Sequence, residues 1–137
     1  METFMKTVIA LLLAASMAAC MPAEEPADLS AESRAELDAE LAGRSAGPDT
    51  SCIPVRDIRH TRTVGDGVML FEGRGDVVWT NRAPGGCPVL RHGRAFRTST
   101  TISQLCRGDI VTVFDPVSGA EFAGCSLGDF TPHRRTF

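Results

Sequence analysis

Four cysteines, Cys52, Cys87, Cys106 and Cys125, fall within Ser51 to Phe137, a stretch built of short apolar runs broken by Gly, Pro, Asn and Asp. A unit of under ninety residues lies near the lower size at which burial alone sustains a fold, so covalent staples weigh heavily on what it can become. Structural zinc takes its cysteines in close pairs, and this sequence has no Cys-x-x-Cys, so the four read as two cystines. Four cysteines allow three connectivities. If Asp109–Asp115 and Ala120–Ser126 form a hairpin about Val117 and Ser118, Cys125 faces a residue near Ile110 and not Cys106. The expected pairing is then Cys87 with Cys106 and Cys52 with Cys125, the second tying the entry of the domain to its last strand.

Six runs rich in Val, Ile, Thr and Phe are strand candidates: Val55–Val64, Val68–Glu72, Asp76–Thr80, Ala95–Ser99, Asp109–Asp115 and Ala120–Ser126. Gly65-Asp66-Gly67 and Gly73-Arg74-Gly75 divide the first three closely enough for a meander of hairpins, and Asp115-Pro116-Val117-Ser118-Gly119 divides the last two. Thr100–Gln104 is expected to make a single helical turn. The fold class is therefore all-β, a small partly open barrel or curved antiparallel sheet of about five to six short strands, stapled by two disulfides. Trp79 and the phenylalanines Phe71, Phe96, Phe114, Phe122 and Phe130 are its bulky apolar residues.

The fifth cysteine, Cys20, has a different setting. Lys6 precedes the apolar stretch Thr7–Ala15, which has the length of a signal-peptide core and is too short to span a bilayer. Ala18 and Ala19 stand directly before Cys20, with Met17 where Leu, Val or Ile is usual. This segment resembles a bacterial lipoprotein signal peptide over residues 1–19, and the resemblance implies cleavage before Cys20 and lipidation of its thiol. The alternative is an ordinary secretory signal cleaved after Ala19 or near Ala23. Lipidation would leave an even number of cysteines to pair. Met21 is not the aspartate associated with inner-membrane retention, so the resemblance implies export and anchoring in the outer membrane, facing the periplasm.

Residues 20–50 are rich in Ala, Glu, Asp and Pro, with eight acids against two arginines. Such a segment buries little and reads as an acidic tether. Within it, Ser33 with Glu36, Leu37 with Leu41, and Gly43 predict a short helix over roughly Ser33–Ala42. Residues 51–137 form the stapled domain. They carry eleven arginines and eight acids, a net of +3, so tether and domain attract each other.

The chain offers no catalytic, metal or cofactor motif. His60, His92 and His133 are scattered without His-x-Glu or His-x-x-x-His context, and no Gly-x-Ser-x-Gly is present. Asp57, Asp66, Glu72, Asp76, Asp109, Asp115, Glu121 and Asp129 mostly sit at turns or strand ends, where such side chains bond to the backbone. Arg107-Gly108-Asp109 is an ordinary turn before a β run. The one concentrated feature is Arg91, Arg94 and Arg97 around Gly93, which would draw an anion.

The segments Cys-Ile-Pro-Val-Arg-Asp-Ile at 52–58, Cys-Pro-Val-Leu at 87–90, Leu-Cys-Arg-Gly-Asp at 105–109 and Cys-Ser-Leu-Gly-Asp-Phe at 125–130 together resemble a family of small exported proteobacterial proteins with spaced cysteines, a domain of unknown function. The resemblance covers the stapled domain and implies export and a cysteine framework, with no activity attached. The sequence thus points to a non-enzymatic binding or structural module of the cell envelope. It is held to membrane lipid through Cys20 and meets an envelope protein or anionic envelope polymer through Arg91, Arg94 and Arg97; nucleic acid is excluded as a partner by location. The alternative is a small inhibitor or accessory factor of an envelope enzyme, presenting a braced loop around Pro84–Leu90.

Overall fold

The computed structural model describes residues 29–136. The signal segment and Cys20 lie outside them. Glycine turns fold the centre of the chain into a meander of β3 (Ile58–Val64), β4 (Val68–Gly73) and β5 (Val77–Arg82). Gly65, Gly67 and Gly75 supply the positive φ values of 56°, 90° and 71° that L side chains resist. On the free edge of β5 lies β10 (Phe130–Arg135), itself paired with β1 (Arg44–Ala46), to give a five-stranded antiparallel sheet in the order β1-β10-β5-β4-β3.

Against one face of this sheet stand two smaller pieces. One is three-stranded, β6 (Ala95–Thr98), β8 (Ile110–Phe114) and β9 (Glu121–Ser126), in the order β6-β8-β9; the other pairs β2 (Cys52–Pro54) with β7 (Gln104–Cys106). The architecture is all-β with curved antiparallel sheets that do not close into a barrel. The six expected strands are present, with β1, β2, β7 and β10 in addition. Thr100–Gln104 forms no helical turn, because Gln104 opens β7 opposite Pro54.

Strand alternation sorts side chains into two cores. Met69, Phe71, Val77, Trp79 and Phe130 point from the large sheet toward Ile53, Phe96, Leu105, Val111, Val113 and Leu127. Phe71 lies edge-on to both Phe96 and Phe130, with ring centroids 5.5 and 5.4 Å away. Val64, Val68, Leu70 and Val78 point to the opposite face, where Leu29, Leu37 and Leu41 close over them. Strand β4 is apolar through Val68–Phe71 because both of its faces are covered.

That second cover comes from residues expected to belong to the tether. Helix α1 spans Ala31–Glu40, and Ser30 caps it by accepting the Ser33 N–H at 3.1 Å. β1 then aligns Arg44, Ser45 and Ala46 with Arg135, Arg134 and His133. Residues 29–50 are therefore part of the folded structure. The attraction between acidic segment and basic domain is visible as an ion pair from Glu40 to Arg62, whose Nη1 donates to Glu40 Oε1 at 2.8 Å.

Both disulfides form, with a connectivity other than the one expected: Cys52 joins Cys106 and Cys87 joins Cys125. The predicted hairpin is correct, since Cys125 faces Val111 and not Cys106. β2 and β7, too short to stand out in the sequence, pair so that Cys52 lies directly opposite Cys106, with Cα atoms 4.0 Å apart. Cys87 is thereby left to reach β9.

Candidate functional site

Between β5 and β6 the chain runs from Ala83 to Arg94 without regular structure. Irregular connections of this length in a compact domain commonly carry function. Three successive turns shape it: the N–H groups of Gly86, Leu90 and Arg94 donate to the carbonyls of Ala83, Cys87 and Arg91 at 2.9, 3.0 and 3.0 Å. Pro84 and Pro88 occupy the second positions of the first two turns, and Gly85 provides a φ of 77° at the third position of the first.

The loop is pinned along its length. Ala83, Cys87 and Leu90 are buried in the main core, and Cys87 is bonded to Cys125 of β9. His92 N–H donates to Asp66 Oδ1 at 2.9 Å, fastening the loop to the β3–β4 turn. Asp66 N–H in turn donates to Ser33 Oγ at 3.0 Å, so helix, turn and loop are joined through one aspartate. Gly65 permits this approach, as a Cβ there would lie 2.6 Å from that of Ser33. A cleft of about 480 Å³ opens between them, lined by Leu29 and Ser30 on one side and by Gly86, Pro88 and Arg91 on the other.

The three arginines singled out in the sequence do not share this cleft. Arg91 is exposed at its rim, with Nε donating to Pro88 O at 3.3 Å. Arg94 donates to Val89 O at 2.8 Å and places its guanidinium 3.8 Å from the centre of the Phe122 ring. Arg97 pairs with Glu121 and lies 5.2 Å from the centre of the Phe114 ring. Arg94 and Arg97 are thus engaged with the three-stranded sheet, and of the three only Arg91 lines the cleft. Asp66 and His92 were not anticipated as a latch for the loop; the only signal was the Gly65-Asp66-Gly67 turn.

All four cysteines of the described residues are oxidised, and no group of three or more His, Cys, Asp or Glu side chains among those residues is placed to hold a metal. Thr80 Oγ1 and His133 Nε2 are hydrogen-bonded at 3.0 Å on the sheet face beside α1. Burial holds the His133 pKa below its ordinary value, and the Arg44 guanidinium adds to that effect. No helix among the described residues is long and apolar enough to cross a membrane. Two disulfides in so small a unit are the mark of an oxidising compartment outside the cytosol. The chain matches no known family model, no curated protein and no solved structure.

Proposed function

We propose that this protein is a lipoprotein of the cell envelope, lipidated at Cys20 and anchored in the outer membrane facing the periplasm, whose domain is a non-enzymatic binding module. Its recognition element is the Ala83–Arg94 loop with the cleft beside it, and its partner is an envelope protein or anionic envelope polymer. The loop's construction carries this reading. Three turns, a disulfide and the buried Leu90 fix a segment that presents exposed Arg91 and an open cleft. Such preorganisation lowers the ordering cost of binding.

Photo-crosslinking in intact cells tests it. A crosslinker at Val89 should give one discrete adduct that is lost in the Arg91→Glu variant, whereas a crosslinker at Ile102, exposed between β6 and β7 and no part of the cleft lining, should give none. Equal adducts from both positions would sink the assignment. Intact-mass analysis of protein taken from its membrane tests the anchor: a chain beginning at Cys20 with the added mass of acyl groups is expected.

The second reading, an inhibitor or accessory factor of an envelope enzyme, is favoured by the same brace, because an inhibitory loop has to resist cleavage. Prompt proteolysis between Pro84 and Leu90 in the oxidised protein would count against it.

A further inference from the structure

We propose that α1 is a releasable strap, which holds the domain close to its membrane anchor when docked and builds one wall of the cleft. This rests on the proposed anchoring at Cys20. Leu29 is the first described residue, and it lines the cleft together with Ser30. Nine residue steps separate Cys20 from Leu29, so the cleft stands at most about 30 Å from the lipidated residue. Any pull between membrane and domain passes through α1 before it reaches the β-structure.

The helix is held lightly for an element in that position. Ser33 is its one fully buried residue, and Leu37 is half-buried. Besides the packing of Leu37 on the second core, the ties are the Ser33 Oγ bond from Asp66 N–H, the Glu40–Arg62 pair and the contact of Glu36 with His92 at 3.7 Å. A ten-residue helix is marginal once detached. This one also ends on Asp38 and Glu40 with no basic residue in its last turn, which opposes the helix dipole. Lifted from the sheet, α1 should melt.

The strap has a defined hinge and a fixed end. Gly43, at φ 75°, lies between α1 and β1. Beyond it, Arg44 is secured: its Nη1 donates to Asp76 O at 2.7 Å and its Nη2 pairs with Asp76 Oδ1 at 3.0 Å. Peeling thus stops at Arg44, and the reach from Cys20 grows from about 30 Å to about 80 Å. Release bares Val64, Val68, Leu70 and Val78, and the cost of exposing them drives the strap to re-dock. It also removes Leu29 and Ser30 from the cleft, so a ligand filling the cleft and a released strap exclude each other.

Native-state hydrogen exchange on the full mature chain tests the strap. Amides of Glu36–Leu41 should exchange together through an opening at least a hundredfold more frequent than that of Leu70 or Trp79, with β1 protected. Exchange of α1 at the rate of β4 would overturn the proposal. In Leu37→Asp, α1 should lose protection while Trp79 emission and both disulfides persist; loss of the native Trp79 signal would show α1 to be integral core and overturn it equally. The mass at Cys20 separates the two readings. An opening α1 with an unmodified Cys20 overturns the anchoring alone, and exchange of α1 at the rate of β4 with a lipidated Cys20 overturns the strap alone.

Discussion

Asn81 and Gly128 exchange two hydrogen bonds in the core: Asn81 Nδ2 donates to Gly128 O at 2.8 Å, and Gly128 N–H donates to Asn81 Oδ1 at 2.8 Å. The asparagine, 1% exposed, serves as a strand partner for the link between β9 and β10. The approach needs glycine, since a Cβ on residue 128 would lie 2.3 Å from Arg82 O. Leu127 and Phe130, both fully buried, are set in place on either side.

Asn81→Ala should accordingly destabilise the domain out of proportion to the atoms removed. Two buried backbone groups lose their partner, and each orphaned group costs about 1–3 kcal/mol. Urea unfolding followed by emission of Trp79, the sole tryptophan, measures it. A loss below 1 kcal/mol would mean that water or a backbone shift replaces both bonds.

The two disulfides should differ in effect although their loops are similar. They close sequence separations of 54 and 38 residues, for which chain entropy alone gives about 4 kcal/mol each. Replacing Cys87 and Cys125 together by Ala should also free the Ala83–Arg94 loop, and trypsin should then cut at Arg91 or Arg94 well before the rest of the domain. The Cys52→Ala, Cys106→Ala protein should keep the loop resistant. Equal cleavage of the two would show that Leu90 and the Asp66–His92 bond hold the loop without the disulfide.

The elements readable in the sequence are those whose signal is local. β3, β4 and β5 are long enough to show β-branched and aromatic runs between glycine turns, and α1 announced itself through Ser33, Glu36 and the leucine spacing, shifted by two residues because Ser30 and not Ser33 is the cap. The missed elements are set by distant partners. β2 and β7 are three residues each and acquire meaning from one another. β10 contains Pro132, which argues against a strand, yet Pro132 O accepts from Gly47 N–H just past the end of β1, where no donor is missed. The candidate loop was legible as a Pro- and Gly-rich segment with a cysteine. Its latch was not, because Asp66 and His92 meet only in space.

Gly73 and Gly75 should lose stability to alanine for different reasons. A Cβ on Gly73 would lie 2.3 Å from Trp79 Cζ3 and 2.8 Å from Val77 Cγ1, so Gly73→Ala overpacks the core, at about 1–3 kcal/mol, and should shift Trp79 emission in the folded protein. Gly75 has open space but a φ of 71°, so Gly75→Ala costs roughly 1–2 kcal/mol through backbone strain and should leave the emission unchanged. Identical spectra for the two variants would contradict the packing of Trp79 against Gly73.

His133 predicts how stability changes just below neutral pH. Its imidazole bonds to Thr80, and burial, then Arg44, holds its pKa below the ordinary 6.5, against a smaller opposing pull from Asp49. The unfolded chain therefore takes up the proton first as pH falls. Stability is full above pH 6.5, declines below it, and levels once the folded imidazole is protonated. Asp76 acts in a separate window: Arg44 lowers its pKa, so its contribution is lost only as pH drops below the ordinary 3.8. Urea midpoints at pH 7.5 and 5.5 should differ more for the wild-type protein than for His133→Gln, whose amide can still bond to Thr80 but does not titrate. Equal differences would show that protonation of His133 is no harder in the folded protein than in the unfolded chain.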